Sequence, residues 1–355
     1  MKILVDIGHP AHVHLFKNMA HEMIKKGHEF FFTVREGEHQ AQLLNDSGFN
    51  YTIIGKKQKG MIRKFLGIFI FSYRIYFIAR RFKPDIFLSH GSMYAGYAAF
   101  FCGKKHIALE DTGNIEQLAF SMPVSDVILS PESLQVDLGK KHIRYKGFHE
   151  LAYLHPHRFS PDISVLQDLN LKEGDPFVIL RFVSWNASHD LGQSGFTINE
   201  KTNLIREIKR YATVFISSEK PLQSEFDEYA LKIAPHRFHH ALFYAAMYIG
   251  EGATTASECA MLGTPAIYLN TISAGTIECQ KNYGLIFCFQ NTTGLIEKAV
   301  TLLETPGLKD EFGQKRRKML NENIEVTSLL VWFVENYPGS EDVMRTNPGF
   351  QYNFK

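Results

Sequence analysis

The run Gly250-Glu251-Gly252-Ala253-Thr254-Thr255-Ala256-Ser257-Glu258 separates a short apolar, strand-like segment from a helix-like one. Glycines and small hydroxyl residues at such a junction leave backbone N–H groups free and aim the positive end of a helix at one point. That is the chemistry of an anion site and suits a diphosphate. Gly250, Gly252, Ala253, Thr254 and Thr255 are the candidate cradle. Glu258, about one helical turn further in, could reach hydroxyls of a sugar held beside those phosphates. On spacing alone the alternative stays open: the glycines tighten a turn between strand and helix, and Glu258 is a solvated helix residue. Gly263-Thr264-Pro265 ends the helix and starts the next strand.

A second concentration of reactive side chains follows the first strand-like segment, in Gly8-His9-Pro10-Ala11-His12-Val13-His14. A histidine on a loop at a strand mouth titrates near neutrality, so His12 can accept a proton from a hydroxyl. His9, His12 and His14 together also raise metal ligation, although Asp6 at the strand end is the one carboxylate nearby. Structural hydrogen bonding is the third reading, and no metal ligand set is assigned. Cys102, Cys259, Cys279 and Cys288 are scattered without a C-x-x-C pair or zinc spacing, so a reducing, cytoplasmic compartment is expected. Met1-Lys2-Ile3-Leu4-Val5 enters a strand-like segment with no signal-peptide pattern, which also argues against secretion.

The elements that must position these residues alternate along the chain. Segments 3–7, 29–34, 86–89, 106–109 and 127–129 read as strands; 13–26, 40–47, 64–81 and 94–101 read as helices between them. The pattern halts at Gly147-Phe148-His149-Glu150, passes through a Pro- and His-containing stretch, and restarts at 177–182. Further strands are expected at 213–217, 248–250 and 266–269, with helices at 200–211, 224–233, 256–262 and 294–304. The 355 residues, 45% apolar and 21% charged, suit two domains of roughly 150 residues each and exclude a disordered or disulfide-scaffold chain. The expected fold is α/β with two Rossmann-like domains: an amino-terminal one at 1–150, a carboxy-terminal one at 151–337, and a surface tail at 338–355. Such halves predict a cleft between them at the carboxyl ends of both sheets.

The stretch from Gly250 to Asn270, with Glu278-Cys279-Gln280-Lys281-Asn282 after it, resembles the donor-site signature of glycosyltransferases of the GT-B fold. The nearest likeness is the group that adds N-acetylglucosamine to the lipid-linked muramyl-peptide precursor; the UDP-N-acetylglucosamine 2-epimerases share the fold. Asp6-Ile7-Gly8-His9-Pro10-Ala11-His12-Val13 resembles the transferase's first glycine-rich loop, and Ser89-His90-Gly91-Ser92-Met93-Tyr94-Ala95-Gly96 its second. Leu109-Glu110-Asp111-Thr112-Gly113-Asn114 resembles its acceptor-side segment. The whole chain also resembles a prokaryotic domain-of-unknown-function family of about this length, which implies a fold and no activity.

The resemblance implies a metal-independent glycosyltransferase moving a sugar from a UDP-linked donor to a hydroxyl of a cell-surface glycan or lipid-linked acceptor, with no cofactor beyond the nucleotide sugar. It makes Glu258 the ribose clamp, Gly252 to Thr255 the diphosphate cradle, Gln280 and Asn282 contacts to the donor sugar, and His12 the general base. The loop after strand 177–182 approaches the donor phosphates in such enzymes, which adds Arg181, Asn186, Ser188 and His189. Two alternatives remain: a UDP-sugar 2-epimerase or hydrolase, with Glu110 and Asp111 as possible bases, and a non-catalytic nucleotide-sugar-binding protein. Against epimerisation, His90-Gly91-Ser92 stands where the epimerases carry a catalytic Asp.

Charge is unevenly spread. Residues 1–150 hold 20 Lys/Arg against 14 Asp/Glu, and the remainder 19 against 23. Residues 56–84 contain nine basic and no acidic side chains, interleaved with Phe65, Phe69, Phe71, Tyr73, Tyr76 and Phe77. The apolar run is interrupted by Arg74 and falls short of the ~20 residues that span a bilayer. It reads either as an internal amphipathic helix or as an interfacial helix, with residues 56–83 facing anionic lipid on the inner face of the membrane. No nucleic-acid partner is expected.

Overall fold

The computed structural model describes residues 1–37, 39–56, 61–182, 195–218, 222–271 and 275–355, with the backbone alone for 61–65. The chain forms two compact units, Met1–Arg158 with Asn323–Lys355, and Phe159–Glu322.

The first unit holds a seven-stranded sheet of β1 (Lys2–Ile7), β2 (Glu29–Glu36), β3 (Tyr51–Lys56), β4 (Ile86–His90), β5 (Lys105–Leu109), β6 (Val127–Pro131) and β7 (His142–Tyr145). The spatial order is β3-β2-β1-β4-β5-β6-β7 and every pairing is parallel. The second holds β8 (Phe177–Phe182), β9 (Thr213–Ser218), β10 (Met247–Gly250), β11 (Ala266–Leu269) and β12 (Ile286–Phe289), in the parallel order β12-β11-β10-β8-β9. The central strands are almost wholly buried. Helices on both faces of a parallel sheet explain why they read as continuous apolar runs.

Both units are doubly wound, so each has one point where the strand order reverses: β1/β4 in the first, β8/β10 in the second. Loops leaving the carboxyl ends of strands diverge there and open a crevice. The His9–His12 loop follows β1 and His90 ends β4; Arg181 lies in β8 and Gly250 ends β10. These residues therefore occupy the two positions that this topology reserves for ligands.

The domain limits differ from the expected ones. The chain divides at Arg158 and again at Asn323, and the last segment belongs with the amino-terminal unit. The helix Val326–Glu335 is apolar on nearly every side and must be covered; Val326, Leu329, Leu330, Val331, Phe333 and Val334 are buried. Arg158 anchors this return, bonding Glu22 Oε2 at 2.9 Å, Glu325 Oε2 at 2.7 Å and Ser328 Oγ at 3.0 Å. Ile324 N–H donates to Lys146 O, and Thr327 Oγ1 to Ala152 O. The expected tail at 338–355 is a helix, Gly339–Thr346, and a 3₁₀ turn, Pro348–Phe354, whose Phe350 and Phe354 rings pack on Trp332. The helix expected at 224–233 is a 3₁₀ turn, Ser224–Tyr229.

The helix expected at 64–81 runs from Met61 to Phe82 and carries two apolar faces. Ile68, Phe71, Ile75 and Ala79 are buried, and the last three join Leu4 and Phe87 in one core cluster. Leu66, Phe69, Ile70, Tyr73 and Phe77 lie on the opposite side, each between 47% and 64% exposed. Among the described residues no helix is long and apolar enough to cross a membrane.

Candidate functional site

At the first unit's switch point the local sequence fixes a tight loop. His9 caps the helix Pro10–Lys25, its Nδ1 accepting from Ala11 N–H at 3.2 Å, and Pro10 supplies the helix's first turn with a preset φ. Gly8 N–H donates to His12 Nδ1 at 3.2 Å. A Cβ on Gly8 would come within 2.2 Å of Arg35 Nη2, so glycine here lets the guanidinium lie against the loop backbone and any larger residue would displace it. Asp6, fully buried at the end of β1, accepts from Thr33 Oγ1 at 2.8 Å and Ser92 Oγ at 2.5 Å, with Arg35 Nη1 at 3.6 Å. Ser92 also caps the helix Met93–Cys102. The Ser92 hydroxyl of the His90-Gly91-Ser92 segment is therefore committed to structure.

His12 stacks on His90 with ring centroids 4.5 Å apart. Burial first, then the neighbouring charges of His90, His9 and Arg35, hold its imidazolium well below the ordinary histidine range, so the ring is neutral at pH 7. With Nδ1 accepting from Gly8, the neutral ring keeps its proton on Nε2 and presents a donor. The general-base role expected of His12 needs an open acceptor nitrogen, and in this arrangement the ring offers a hydrogen-bond donor instead.

Three side chains from separate elements meet beside it. His90 Nε2 lies 2.8 Å from Asp111 Oδ1, and His149 Nδ1 lies 3.2 Å from Asp111 Oδ2. Burial would lower the pKa of His90, but the Asp111 carboxylate outweighs it and pushes the imidazole up to about 9. Burial would likewise raise Asp111, yet the two imidazoles hold it well below the usual carboxylate range. Glu110, 1% exposed, spends Oε1 on its own turn, accepting from Thr112 N–H at 2.7 Å, Thr112 Oγ1 at 2.6 Å and Gly113 N–H at 3.1 Å. Glu110 Oε2 is buried without a hydrogen-bond partner among the described residues, whereas both Asp111 oxygens face imidazoles. His9, His12 and His14 do not converge: the first caps a helix and the third packs on Tyr153. His90 and His149 are the residues sequence reading missed as functional partners, because no local spacing links them to Asp111.

In the second unit, β10 ends at Gly250, opposite Arg181 of β8. A Cβ there would meet Tyr248 Oη at 2.4 Å and Arg181 O at 2.7 Å, so only glycine lets the two strands close at this point. The helix Ala253–Leu262 then begins at Gly252, which offers no side chain to cap it. Among the described residues no side chain caps its first-turn N–H groups, on Ala253, Thr254 and Thr255, so they can meet an anionic ligand. Thr254 is exposed and Thr255 buried. Glu258 is 5% exposed and its Oε1 lies 2.9 Å from His239 Nε2. His239 comes from the helix Phe238–Tyr244, which the sequence pattern did not single out. Gln280 is wholly buried and donates Nε2 to Ser257 Oγ at 2.6 Å, which ties the helix Gly275–Asn282 to the cradle helix. Asn282 is exposed at the end of that helix. Arg181 donates to Ser217 Oγ at 2.8 Å. Asn186, Ser188 and His189 lie outside the described residues.

A family model described as a protein of unknown function, DUF354, matches residues 1–322. The chain belongs to that family. No curated protein sequence matches it. Among solved structures it is similar to a putative UDP-N-acetylglucosamine 2-epimerase from Listeria monocytogenes, at 15% identity and TM-score 0.70, covering 95% of this chain and 96% of that one. It is also similar to the UDP-N-acetylglucosamine 2-epimerase from Neisseria meningitidis bound to its UDP-sugar, at 14% identity and TM-score 0.70, covering 94% and 99%. A third is the glycosyltransferase VinC in complex with dTDP, at 14% identity and TM-score 0.59, covering 94% and 99%. At such identities the likeness is one of fold: this DUF354 chain has the two-sheet GT-B architecture. GT-B glycosyltransferases and UDP-N-acetylglucosamine 2-epimerases are both among its structural neighbours.

Proposed function

We propose that this protein is a glycosyltransferase that takes a sugar from a UDP-linked donor and delivers it to a hydroxyl of a cell-surface glycan or lipid-linked acceptor. The observation that carries the reading is the uncapped start of the helix Ala253–Leu262, directly after Gly250-Glu251-Gly252 at a switch point, with Glu258 one turn inward. N–H groups and the helix dipole would take up the charge of a departing diphosphate, so the phosphates need no metal bridge. Glu258, steadied by His239, would accept ribose hydroxyls, and Asn282 would meet the sugar. Gln280 would act by holding the cradle helix in place. In the first unit Asp111 would accept the proton that the acceptor hydroxyl gives up as its oxygen bonds to the sugar, and the His12 Nε2–H would orient the acceptor beside it.

One observation favours a second reading, 2-epimerisation or hydrolysis of the nucleotide sugar: the His90–Asp111 pair places acid and base groups on the first unit. Incubation with UDP-sugars alone and with glycan acceptors separates the readings. Transfer only with acceptor supports the first, epimerised or hydrolysed sugar without acceptor the second. Nucleotide binding without turnover in either mixture supports a non-catalytic binder.

We further propose that the exposed face of the helix Met61–Phe82 rests on anionic membrane, where a lipid-linked acceptor would emerge. Leu66, Phe69, Ile70, Tyr73 and Phe77 recur at helical spacing on that face, and Lys56, Arg80, Arg81 and Lys83 flank it. An aromatic face bordered by cations suits headgroups and the first methylenes of the acyl chains.

A further inference from the structure

We propose that His90, Asp111 and His149 form a site for one divalent transition-metal ion. The end of β4, the residue two beyond β5 and the turn after β7 each contribute one ligand, and the three ligand atoms lie within 4.8 Å of one another. Ligands at zinc-type bond lengths around a tetrahedral ion sit about 3.4 Å apart. The observed separations, 2.8 Å from His90 Nε2 to Asp111 Oδ1 and 3.2 Å from His149 Nδ1 to Asp111 Oδ2, need to open by about 0.6 Å and about 0.2 Å to admit one.

A second, independent feature is His149 itself. It is 5% exposed, its Nδ1 faces the Asp111 carboxylate at 3.2 Å, and its buried Nε2 has no hydrogen-bond partner among the described residues. Buried side-chain polar atoms normally have a partner, so this nitrogen is an exception. The Tyr145 hydroxyl next to it is also buried and has no hydrogen-bond partner among the described residues, and its ring stacks on His149 with centroids 6.2 Å apart. A ligand pair of imidazole nitrogens with a single carboxylate is too nitrogen-rich for Mg²⁺ or Ca²⁺ and suits Zn²⁺, Co²⁺, Fe²⁺ or Mn²⁺.

Three protein ligands leave a coordination position open, as catalytic rather than structural sites do. Access is from the Asp111 side, 21% exposed against 8% and 6% for the two imidazoles. The open position would take an oxygen ligand; on the transferase reading, to which this role alone is tied, that ligand is the acceptor hydroxyl, whose pKa the ion would lower. The metal site itself stands on the three side chains.

Chelator-treated protein should bind one equivalent of Co²⁺ with the visible ligand-field spectrum of a low-coordinate ion, and Zn²⁺ should displace it. Asp111→Asn and His149→Ala should each weaken Co²⁺ by at least ~100-fold, since loss of even an outer-shell partner costs 10–100-fold; His21→Ala should bind as the wild type does. X-ray absorption on the wild-type cobalt protein, needing no variant to fold, should count two imidazoles. Sub-stoichiometric binding, an all-oxygen shell, or folded Asp111→Asn and His149→Ala variants that bind as the wild type does would each overturn the proposal. Every measurement is made without nucleotide, so failure here leaves the UDP-sugar reading intact, and failure of that reading leaves this one.

Discussion

Phe69, Tyr73 and Phe77 are 62%, 64% and 49% exposed along one face of the helix Met61–Phe82. An aromatic side chain offers about 200 Å², so the three leave roughly 350 Å² in water. At about 25 cal/mol per Å², complete insertion into lipid would yield ~9 kcal/mol, and insertion to half that depth about 4 kcal/mol, on the order of a thousandfold in partitioning. Replacing all three with Ser should therefore abolish sedimentation with anionic vesicles. The same rings keep roughly 250 Å² covered in the fold, so by the same measure the triple variant gives up at most about 6 kcal/mol of packing, and circular dichroism must show it folded before sedimentation is read. Wild-type binding should be strong at low salt and fade as the Debye length shrinks to ~8 Å at physiological ionic strength. Substituting Lys56, Lys57, Lys59, Arg63 and Lys64 with Glu should remove it while leaving the protein folded. A wild type that ignores anionic vesicles at low salt, or a triple variant that sediments with them unchanged, would refute the docking argument. A triple variant that unfolds would mean the outer face is core after all.

Other consequences are testable on the same protein. Glu258→Gln should weaken UDP by about 1–3 kcal/mol in calorimetry, because charge-assisted bonds to ribose are worth about that; unchanged affinity in a folded variant removes the residue from the donor site. His12→Ala should cut turnover by roughly 10²–10³, the usual cost of one lost donor, with UDP affinity nearly intact. The His106 imidazole, buried between Ser89 and Ser125, is pushed down to about 4 by burial. The unfolded chain takes up that proton near its ordinary 6.5, so the stability this neutral ring contributes is present above 6.5 and lost as pH falls towards 4. The loss is roughly 2 kcal/mol between pH 7 and pH 5. Urea unfolding should show it, and His106→Gln should flatten the slope by that amount. Arg158→Ala strands the buried Glu325 carboxylate and should cost about 2–3 kcal/mol while loosening residues 323–355 in hydrogen exchange.

The central strands were legible because both faces of each are covered, which prints an unbroken apolar run into the sequence. β3, β7 and β12 were not; each lies at a sheet edge and mixes exposed with buried positions, as does β9, where Val214, Phe215 and Ile216 in a row still marked a strand. The Gly250–Gly263 turn and helix announced themselves through glycine spacing, a local property. His239 and the His90–Asp111–His149 meeting did not, because the parallel sheet alone brings such distant residues together. The return of Val326–Glu335 to the first unit was hidden for the same reason: an apolar helix declares that it must be buried, not against what. The helix Met61–Phe82 was ambiguous between core and interface because it carries an apolar stripe on each side.

Thermal unfolding of the wild type in the presence of UDP and a panel of nucleotide sugars tests the donor-site claim most directly. A ligand at ~100 times its dissociation constant adds ~2.7 kcal/mol, which moves the midpoint by several degrees in a protein of this size. UDP and at least one UDP-sugar should produce that shift, and Glu258→Ala should lose most of it while His12→Ala keeps it. No shift with any uridine nucleotide, or an equal shift in wild type and Glu258→Ala, would contradict the account.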